Sequence, residues 1–401
     1  MSIVARACLI LAAAMLALVD PAARAQIAPP RTLEELKAET QARADRNAYP
    51  LTGLKPADVR AALAKITSLD RDQWAAAWSS VADGYEADAK AADAAGRGKD
   101  AQEGYRQAWR LYSFARWPTP NSPGKQQAYA KSAQAFAAYA QHLDPAPALV
   151  RIPFEGKEIV GWLRLPKDVR PAPLVLAISA LDSRKEDTVE RSDAFISRGI
   201  ATFALDMPGT GEAPVWGDVN SERMFSRALD YLATRSEIDA KRVVVQGVSW
   251  SGYWAAKLGI VERERLRGVV VQGGPIHFYF QPAWQLRALG TREYLFDLFP
   301  ARASVYGARS LETFLAFGPR MSLKAQGLIE RPSAPMLLIN GDHDTQVPIA
   351  DLDLMLHSGS PKEAWVNPGG GHTGRSADWP DGKIFEKVVT PWIGRQLGLG
   401  E

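Results

Sequence analysis

Sulfur chemistry is nearly missing from this chain. Among 401 residues there is one cysteine, Cys8, and it lies in an N-terminal apolar segment. That segment reads MSIVARACLILAAAMLALVDPAARAQ. Arg6 supplies a positive start, an apolar run follows from Ala7 to Val19, and Ala23-Arg24-Ala25 has the small-x-small form of a cleavage site. The pattern predicts a secretory signal peptide over residues 1–25, cut before Gln26. An uncleaved anchor is the alternative, but the run of about 13 residues is short for a bilayer. Cys8 follows Ala-Arg-Ala with no apolar run before it, unlike a lipoprotein cysteine. Cleavage leaves a mature chain without a thiol. Cysteine catalysis, Cys-ligated zinc and a disulfide scaffold are then excluded, and the predicted location is periplasmic or secreted.

Other scarcities narrow the field further. The net charge is only +3 and there is no Lys/Arg run, which argues against a nucleic-acid partner. No later segment is long and apolar enough for stable membrane insertion after signal cleavage. There is no phosphate-binding or dinucleotide glycine loop, and no His/Asp/Glu cluster with metal-ligand spacing. No cofactor and no metal are therefore expected. Histidine is sparse, with five in the whole chain, so any imidazole base comes from a short roster.

What is present divides in two. Residues 26–146 are rich in Ala, Gln, Lys, Arg and Glu and poor in β-branched residues, which predicts an all-helical N-terminal domain. Trp74, Trp78, Val81 and Tyr85 recur on one helical face, and Tyr105, Trp109 and Tyr112 on another. Such stripes are inter-helix core before they are a substrate cleft. From residue 147 to 401 the period changes. LVRIPF, EIVGWLRLP, PLVLAIS, IATFALD, RVVVQG, RGVVVQ, PMLLIN and EAWVNP read as strands. Most of the later ones alternate with helical stretches, which predicts an α/β domain with a mostly parallel central sheet and helices on both faces. A helical, aromatic insertion interrupts the alternation at about 276–330.

The strand RVVVQG runs into VSWSGYWAAKLG, a near match to the G-x-S-x-G turn that raises a serine above a sheet. A serine hydroxyl is a weak nucleophile and needs a base, an exposed position and donors for the oxyanion. A tight strand-to-helix turn supplies the last two, provided the residues two before and two after the serine are small. With Ser249 at the apex these are Gly247 and Ser251. With Ser251 they would be Ser249 and Tyr253, and tyrosine is too large. Ser249 is the predicted nucleophile. An ordinary βα turn with a capping serine is the alternative.

A hydrolase of this chain order needs an acid and then a histidine downstream. GDHDTQVP follows the strand PMLLIN. Asp344 is the predicted acid and Asp342 the alternative, more suited to supporting the loop. His142 precedes the α/β domain, His357 ends a helix, and His343 adjoins Asp344 too closely. His372, in the loop NPGGGHTG after EAWVNP, is the predicted base. The oxyanion hole is assigned to the N–H groups of Trp250 and Leu181, with Ala180 as the alternative to Leu181.

With these residues placed, the chain resembles the α/β-hydrolases of the FrsA-like esterase group, which also takes in 2,6-dihydroxypseudooxynicotine hydrolase and fungal polyketide-shortening hydrolases. The motifs GYRQAWRLYSFARWP, AYAKSAQAF, ALDSRKED, LDMPGTGEAP, GDHDTQVP and GGGHTG carry the resemblance, from about residue 70 to the end. It implies an α/β-hydrolase fold with an N-terminal helical lid over the site, and Ser249, Asp344 and His372 as the triad. It also suggests a homodimer with lid contacts. Glu212, in PGTGE, matches a recurrent acidic position that either lines the site or holds its turn.

Members of the group cleave esters or a carbon–carbon bond beside a ketone. The second chemistry benefits from an extra acid, and the segment from Gly273 has none before Glu293. A serine hydrolase acting on a small-molecule carboxylic ester is therefore expected. His277, Phe278, Tyr279, Phe280 and Trp284 are predicted to line a pocket for an aromatic or bulky acyl group. Two other readings stay open: a C–C hydrolase of β-diketone-like substrates, and a binding protein that keeps the fold without turnover.

Overall fold

The computed structural model describes residues 29–399. The predicted signal peptide lies outside the described residues. Five helices come first: α1 Leu33–Asp45, α2 Pro56–Ala64, α3 Arg71–Ala94, α4 Gly98–Ala115 and α5 Pro123–Gln141. Their ends follow from local chemistry. The Asp70 side chain caps α3 by accepting from Gln73 N–H, and Gly96 ends that stretch at φ 73°. Ser122 caps α5, with Pro123 as its first residue.

The aromatic stripes are core. Trp78, Trp109, Tyr112 and Phe136 are fully buried between the helices. Trp109 meets Phe136 edge-on at 5.0 Å, and Trp78 meets Phe114 at 4.6 Å. Replacing such a tryptophan by alanine costs about 3–5 kcal/mol. The same cluster takes in Trp162 and Ala204 from the sheet and Leu295 from the insertion. The helical unit thus shares one continuous apolar contact with the α/β unit.

The sheet has eight strands in the order β1-β2-β4-β3-β5-β6-β7-β8. They are β1 Ala148–Phe154, β2 Lys157–Arg164, β3 Ala172–Ile178, β4 Ala201–Leu205, β5 Ile238–Val248, β6 Gly268–Gln272, β7 Met336–Gly341 and β8 Glu363–Asn367. β2 runs antiparallel to both β1 and β4, while the six strands from β4 to β8 are parallel. The central strands are buried on both faces, which explains their unbroken runs of valine, leucine and isoleucine. This is the α/β-hydrolase arrangement. The carboxyl ends of β3, β5, β7 and β8 open on one rim, where the connecting loops carry the predicted site residues.

The insertion between β6 and β7 contains three short helices, Pro282–Leu289, Leu298–Val305 and Leu311–Phe317. Its start is held by a buried carboxylate. Asp351 accepts hydrogen bonds from the backbone N–H groups of Ile276, His277, Phe278 and Tyr279. This clamp fixes the backbone at the start of that segment.

Candidate active site

Ser249 stands alone between β5 and the helix Trp250–Val261, with φ 55° and ψ −129°. For a residue with a Cβ this is a costly conformation, and such strain concentrates at functional sites. The neighbours explain how the turn is held. A Cβ on Gly247 would lie 2.2 Å from the Ser251 carbonyl oxygen, and one on Gly252 would lie 2.6 Å from Gly274 Cα. Ser251 is fully buried. Its hydroxyl accepts from Val248 N–H at 2.8 Å and donates to the Ile178 carbonyl at 2.9 Å, tying the turn to the end of β3. The residue in place of the second glycine is a strut. Ser251→Ala should therefore lower stability by about 1–3 kcal/mol while the protein still labels with a fluorophosphonate. Denaturant melts and labelling gels check both halves.

The structure brings Ser249, His372 and Asp344 into one chain of hydrogen bonds. Ser249 Oγ lies 2.7 Å from His372 Nε2, and His372 Nδ1 lies 2.7 Å from Asp344 Oδ2. With Nδ1–H donating a hydrogen bond to the carboxylate, the imidazole presents Nε2 as an acceptor for the serine hydroxyl. Asp344 is buried, and its Oδ1 accepts from Gln346 N–H at 2.7 Å and Val347 N–H at 3.0 Å. Burial by itself would raise this carboxyl. His372 and the backbone donors outweigh burial and hold it below the ordinary aspartate value. For His372, burial opposes the charged ring, yet the Asp344 carboxylate prevails and raises the imidazole above its ordinary 6.5.

Asn340, at the end of β7, was not singled out from the sequence. Its amide nitrogen donates to Asp344 Oδ2 at 2.9 Å, and its carbonyl accepts from Thr373 N–H at 3.1 Å. It joins the acid loop to the histidine loop. Asp342 accepts from Gly369 N–H at 2.7 Å and so supports the glycine-rich loop rather than the imidazole.

On the oxyanion side, Ala180 N–H is occupied by Ser183 Oγ at 2.9 Å. The Leu181 and Trp250 N–H groups have no hydrogen-bond partner among the described residues. Leu181 and Trp250 both border the cavity that contains Ser249. The helical unit grips this loop directly. Arg116 donates to the Asp182 carbonyl at 2.6 Å, and Trp117 Nε1 donates to the Asp182 carboxylate at 3.0 Å. Burial raises the phenols of Tyr49 and Tyr294, and the same carboxylate beside them raises them further.

The cavity is small, about 20 Å3, the order of one water molecule. Ser249, Trp250, Leu181, Tyr279 and His372 line it, together with Tyr294, Leu298, Arg302, Gln346 and Val347. Four of the aromatic positions expected in the pocket, His277, Phe278, Phe280 and Trp284, do not border this cavity, and the Asp351 clamp fixes the backbone of the first two. His277 Nδ1 meets Ser322 Oγ at 2.7 Å, and burial followed by Lys324 lowers its pKa. Phe278 faces solvent, 39% exposed. Phe280 is fully buried against Trp250 and Tyr253. Trp284 donates to the Gln346 carbonyl at 3.0 Å and supports the wall from behind. Glu212 does not border the cavity either. It pairs with the buried Lys185 at 2.5 Å, and its N–H bonds Asp206 at 3.0 Å, so it holds its turn. Trp250 borders the cavity, and its ring packs among Tyr253, Trp254, Phe280 and Tyr306. Among the described residues, no group of three or more His, Cys, Asp or Glu is placed to hold a metal ion, and no helix is long and apolar enough to cross a membrane.

A family described as Esterase FrsA-like matches residues 63–364. The chain belongs to the FrsA-like esterase family. It is 27% identical to Esterase FrsA of Photobacterium profundum over 278 residues, 68% of this chain and 65% of that protein. It is 32% identical to Esterase FrsA of Klebsiella pneumoniae subsp. pneumoniae over 236 residues, 57% of this chain and 55% of that protein. The chain thus spans between half and two thirds of the length of these FrsA relatives. Among solved structures, 2,6-dihydroxy-pseudo-oxynicotine hydrolase is similar in fold, with a TM-score of 0.72 at 21% identity, covering 86% of this chain and 93% of that one. Wild-type AbyA5 is also similar, with a TM-score of 0.69 at 20% identity, covering 92% of this chain and 96% of that one. The family match takes in the helices α3 to α5 and the strands β1 to β7.

Proposed function

We propose that this protein is a serine hydrolase of carboxylic esters that works through an acyl-enzyme on Ser249. The observation that carries this reading is the unbroken relay from Ser249 through His372 to Asp344, in a cavity bordered by Leu181 and Trp250, whose N–H groups have no partner among the described residues. His372 Nε2 takes the Ser249 proton as Oγ attacks the acyl carbon. The Leu181 and Trp250 N–H groups receive the oxyanion. His372 then passes its proton to the leaving alcohol, water attacks the acyl carbon in turn, and Asp344 keeps the imidazole oriented and stabilises its charged form.

An ester is favoured over a carbon–carbon bond by the cavity wall. Its polar side chains belong to Ser249, His372, Tyr279, Tyr294, Arg302 and Gln346, and none is a carboxylic acid. A carbanion leaving group would call for such an acid, whereas an alkoxide takes its proton from His372. With so little free volume, substrate admission calls for outward movement of the insertion, which supplies Tyr279, Tyr294, Leu298 and Arg302 to the wall. The helical unit is proposed as a lid on the grip of Arg116 and Trp117 on the loop that carries Leu181. The N-terminal segment supports secretion, with the mature enzyme in the periplasm or outside the cell.

Assay against 4-nitrophenyl esters beside a β-diketone panel tests the reaction class. Ester turnover is the expected result, and turnover confined to diketones would refute it. Fractionation of producing cells tests the location, with processed protein starting at Gln26 in the periplasm or medium as the expected outcome.

A further inference from the structure

We propose that Arg302 is the recognition point for a carboxylate on the substrate, so that the enzyme prefers esters with an anionic group. The inference rests on the serine-ester reading above and concerns the same cavity. Arg302 is 2% exposed, and it borders the space that holds Ser249. A buried guanidinium is ordinarily matched by a carboxylate, because an unpaired buried charge is expensive. Here, among the described residues, none lies within 4.0 Å of it.

Its partners are two amides. Nη1 donates to Gln285 Oε1 at 3.1 Å, and Nη2 donates to Gln346 Oε1 at 2.8 Å. Both amides are fixed from their other ends. Gln285 Nε2 donates to the Tyr279 carbonyl at 2.6 Å, and Gln346 Nε2 donates to Thr291 Oγ1 at 2.6 Å. Each therefore has to present its oxygen to the arginine. The Tyr279 ring lies 5.1 Å from the guanidinium and adds a cation–π contact.

These contacts orient the cation without neutralising it. Its Nε is buried and has no hydrogen-bond partner. The nearby acids are engaged elsewhere. Asp344 is bound to His372, and Glu293 accepts from Thr345 Oγ1 and pairs with Arg375. A neutral clamp around an unpaired guanidinium beside a nucleophile is the arrangement that receives a carboxylate, which the planar fork matches. Gln346 also ties the clamp to the triad, since its backbone N–H bonds Asp344 at 2.7 Å. Anion binding and the acid loop therefore share one residue.

The test compares matched esters on the full protein. In the acyl arm, the 4-nitrophenyl monoester of glutaric acid is set against 4-nitrophenyl valerate. In the alcohol arm, 4-acetoxybenzoate is set against 4-acetoxybenzamide. Wild-type protein should favour the anionic member by about tenfold or more in kcat/KM in at least one arm, as expected for a charged hydrogen bond. The arm that responds identifies the side of the ester that bears the charge. Arg302→Met should bring that ratio close to one, and Arg302→Lys should restore part of it. No preference in either arm, or a preference that survives Arg302→Met, overturns the proposal. Calorimetry with glutarate is a second readout that needs no turnover and applies to wild type if the variant does not fold. Binding that valeramide does not reproduce supports Arg302, and no binding counts against it. Absence of all ester turnover and of Ser249 labelling would instead sink the serine-ester reading, while the glutarate result would still decide the anion site.

Discussion

Ser249→Ala should reduce ester turnover by about 10^6-fold, to the residual rate that binding and oxyanion donors sustain alone. The size follows from the mechanism. In the proposed mechanism, removing Oγ deletes the attacking atom, and the groups that serve it then have nothing to act on. The relay of 2.7 Å contacts from Ser249 to His372 and Asp344 is cooperative, so losing one end forfeits the advantage of the whole. The fold should tolerate the change. The φ of 55° at position 249 is costly for alanine as for serine, and no fold-holding hydrogen bond runs through Oγ. The measurement is kcat/KM with a 4-nitrophenyl ester, alongside fluorophosphonate labelling. A labelled Ser249→Ala protein, or one retaining more than a small fraction of activity, would move the nucleophile elsewhere. Ser251 would then be the residue to test, although its hydroxyl is buried and already bonded.

Asp344→Asn should lower kcat by about 10^4-fold and also move the pH profile. Two effects combine. An amide at this position can donate to Nδ1, which favours the tautomer with its proton on Nε2, the wrong side for accepting from Ser249. The second effect has a definite sign. His372 must be neutral to act as base, so activity rises with pH through its pKa. In the native protein Asp344 outweighs burial and places that pKa above the ordinary 6.5, so the acid limb should lie above 6.5. Without the carboxylate only burial remains of the two, the imidazole pKa falls, and the limb of the residual activity should move to lower pH. A limb that stays in place would show that another group governs it. The pH profile distinguishes this role from a structural one, since loss of folded protein lowers the amplitude without moving the limb.

The parts of the site legible in the sequence were those fixed by short-range rules. RVVVQGVSWSG announces its turn because a valine run, two small flanking positions and a small-residue helix occur within a dozen residues. GDHDTQVP and NPGGGHTG could be placed on the rim because each follows a strand. The aromatic stripes at Trp74, Trp78, Tyr105 and Trp109 were readable as helix faces from their spacing, with core favoured over a substrate cleft, and the structure buries them. The pocket was not readable in this way. FYF in the insertion is as apolar as a binding wall would be, yet only Tyr279 reaches the cavity. Asp351, more than seventy positions away in sequence, fixes four N–H groups of that segment, while His277 meets Ser322, Phe278 faces solvent and Phe280 lies in the core. Asn340 and Arg302 gave no local sign at all.

The division between the two kinds of information has a physical cause. Backbone periodicity, small-residue turns and the order of strands are local properties, and the sequence by itself determined the α/β sheet, the preceding helical unit and the identity of Ser249, Asp344 and His372 as a candidate relay. Which side chains form the wall depends on directions set by partners distant in sequence. Trp117 reaches the oxyanion loop from the helical unit, Gln285 and Gln346 turn their oxygens toward Arg302, and Glu212 is drawn to Lys185 rather than to the serine. Only the tertiary structure decided these, because a hydrogen bond between elements is specified by where they pack and not by what precedes them in the chain.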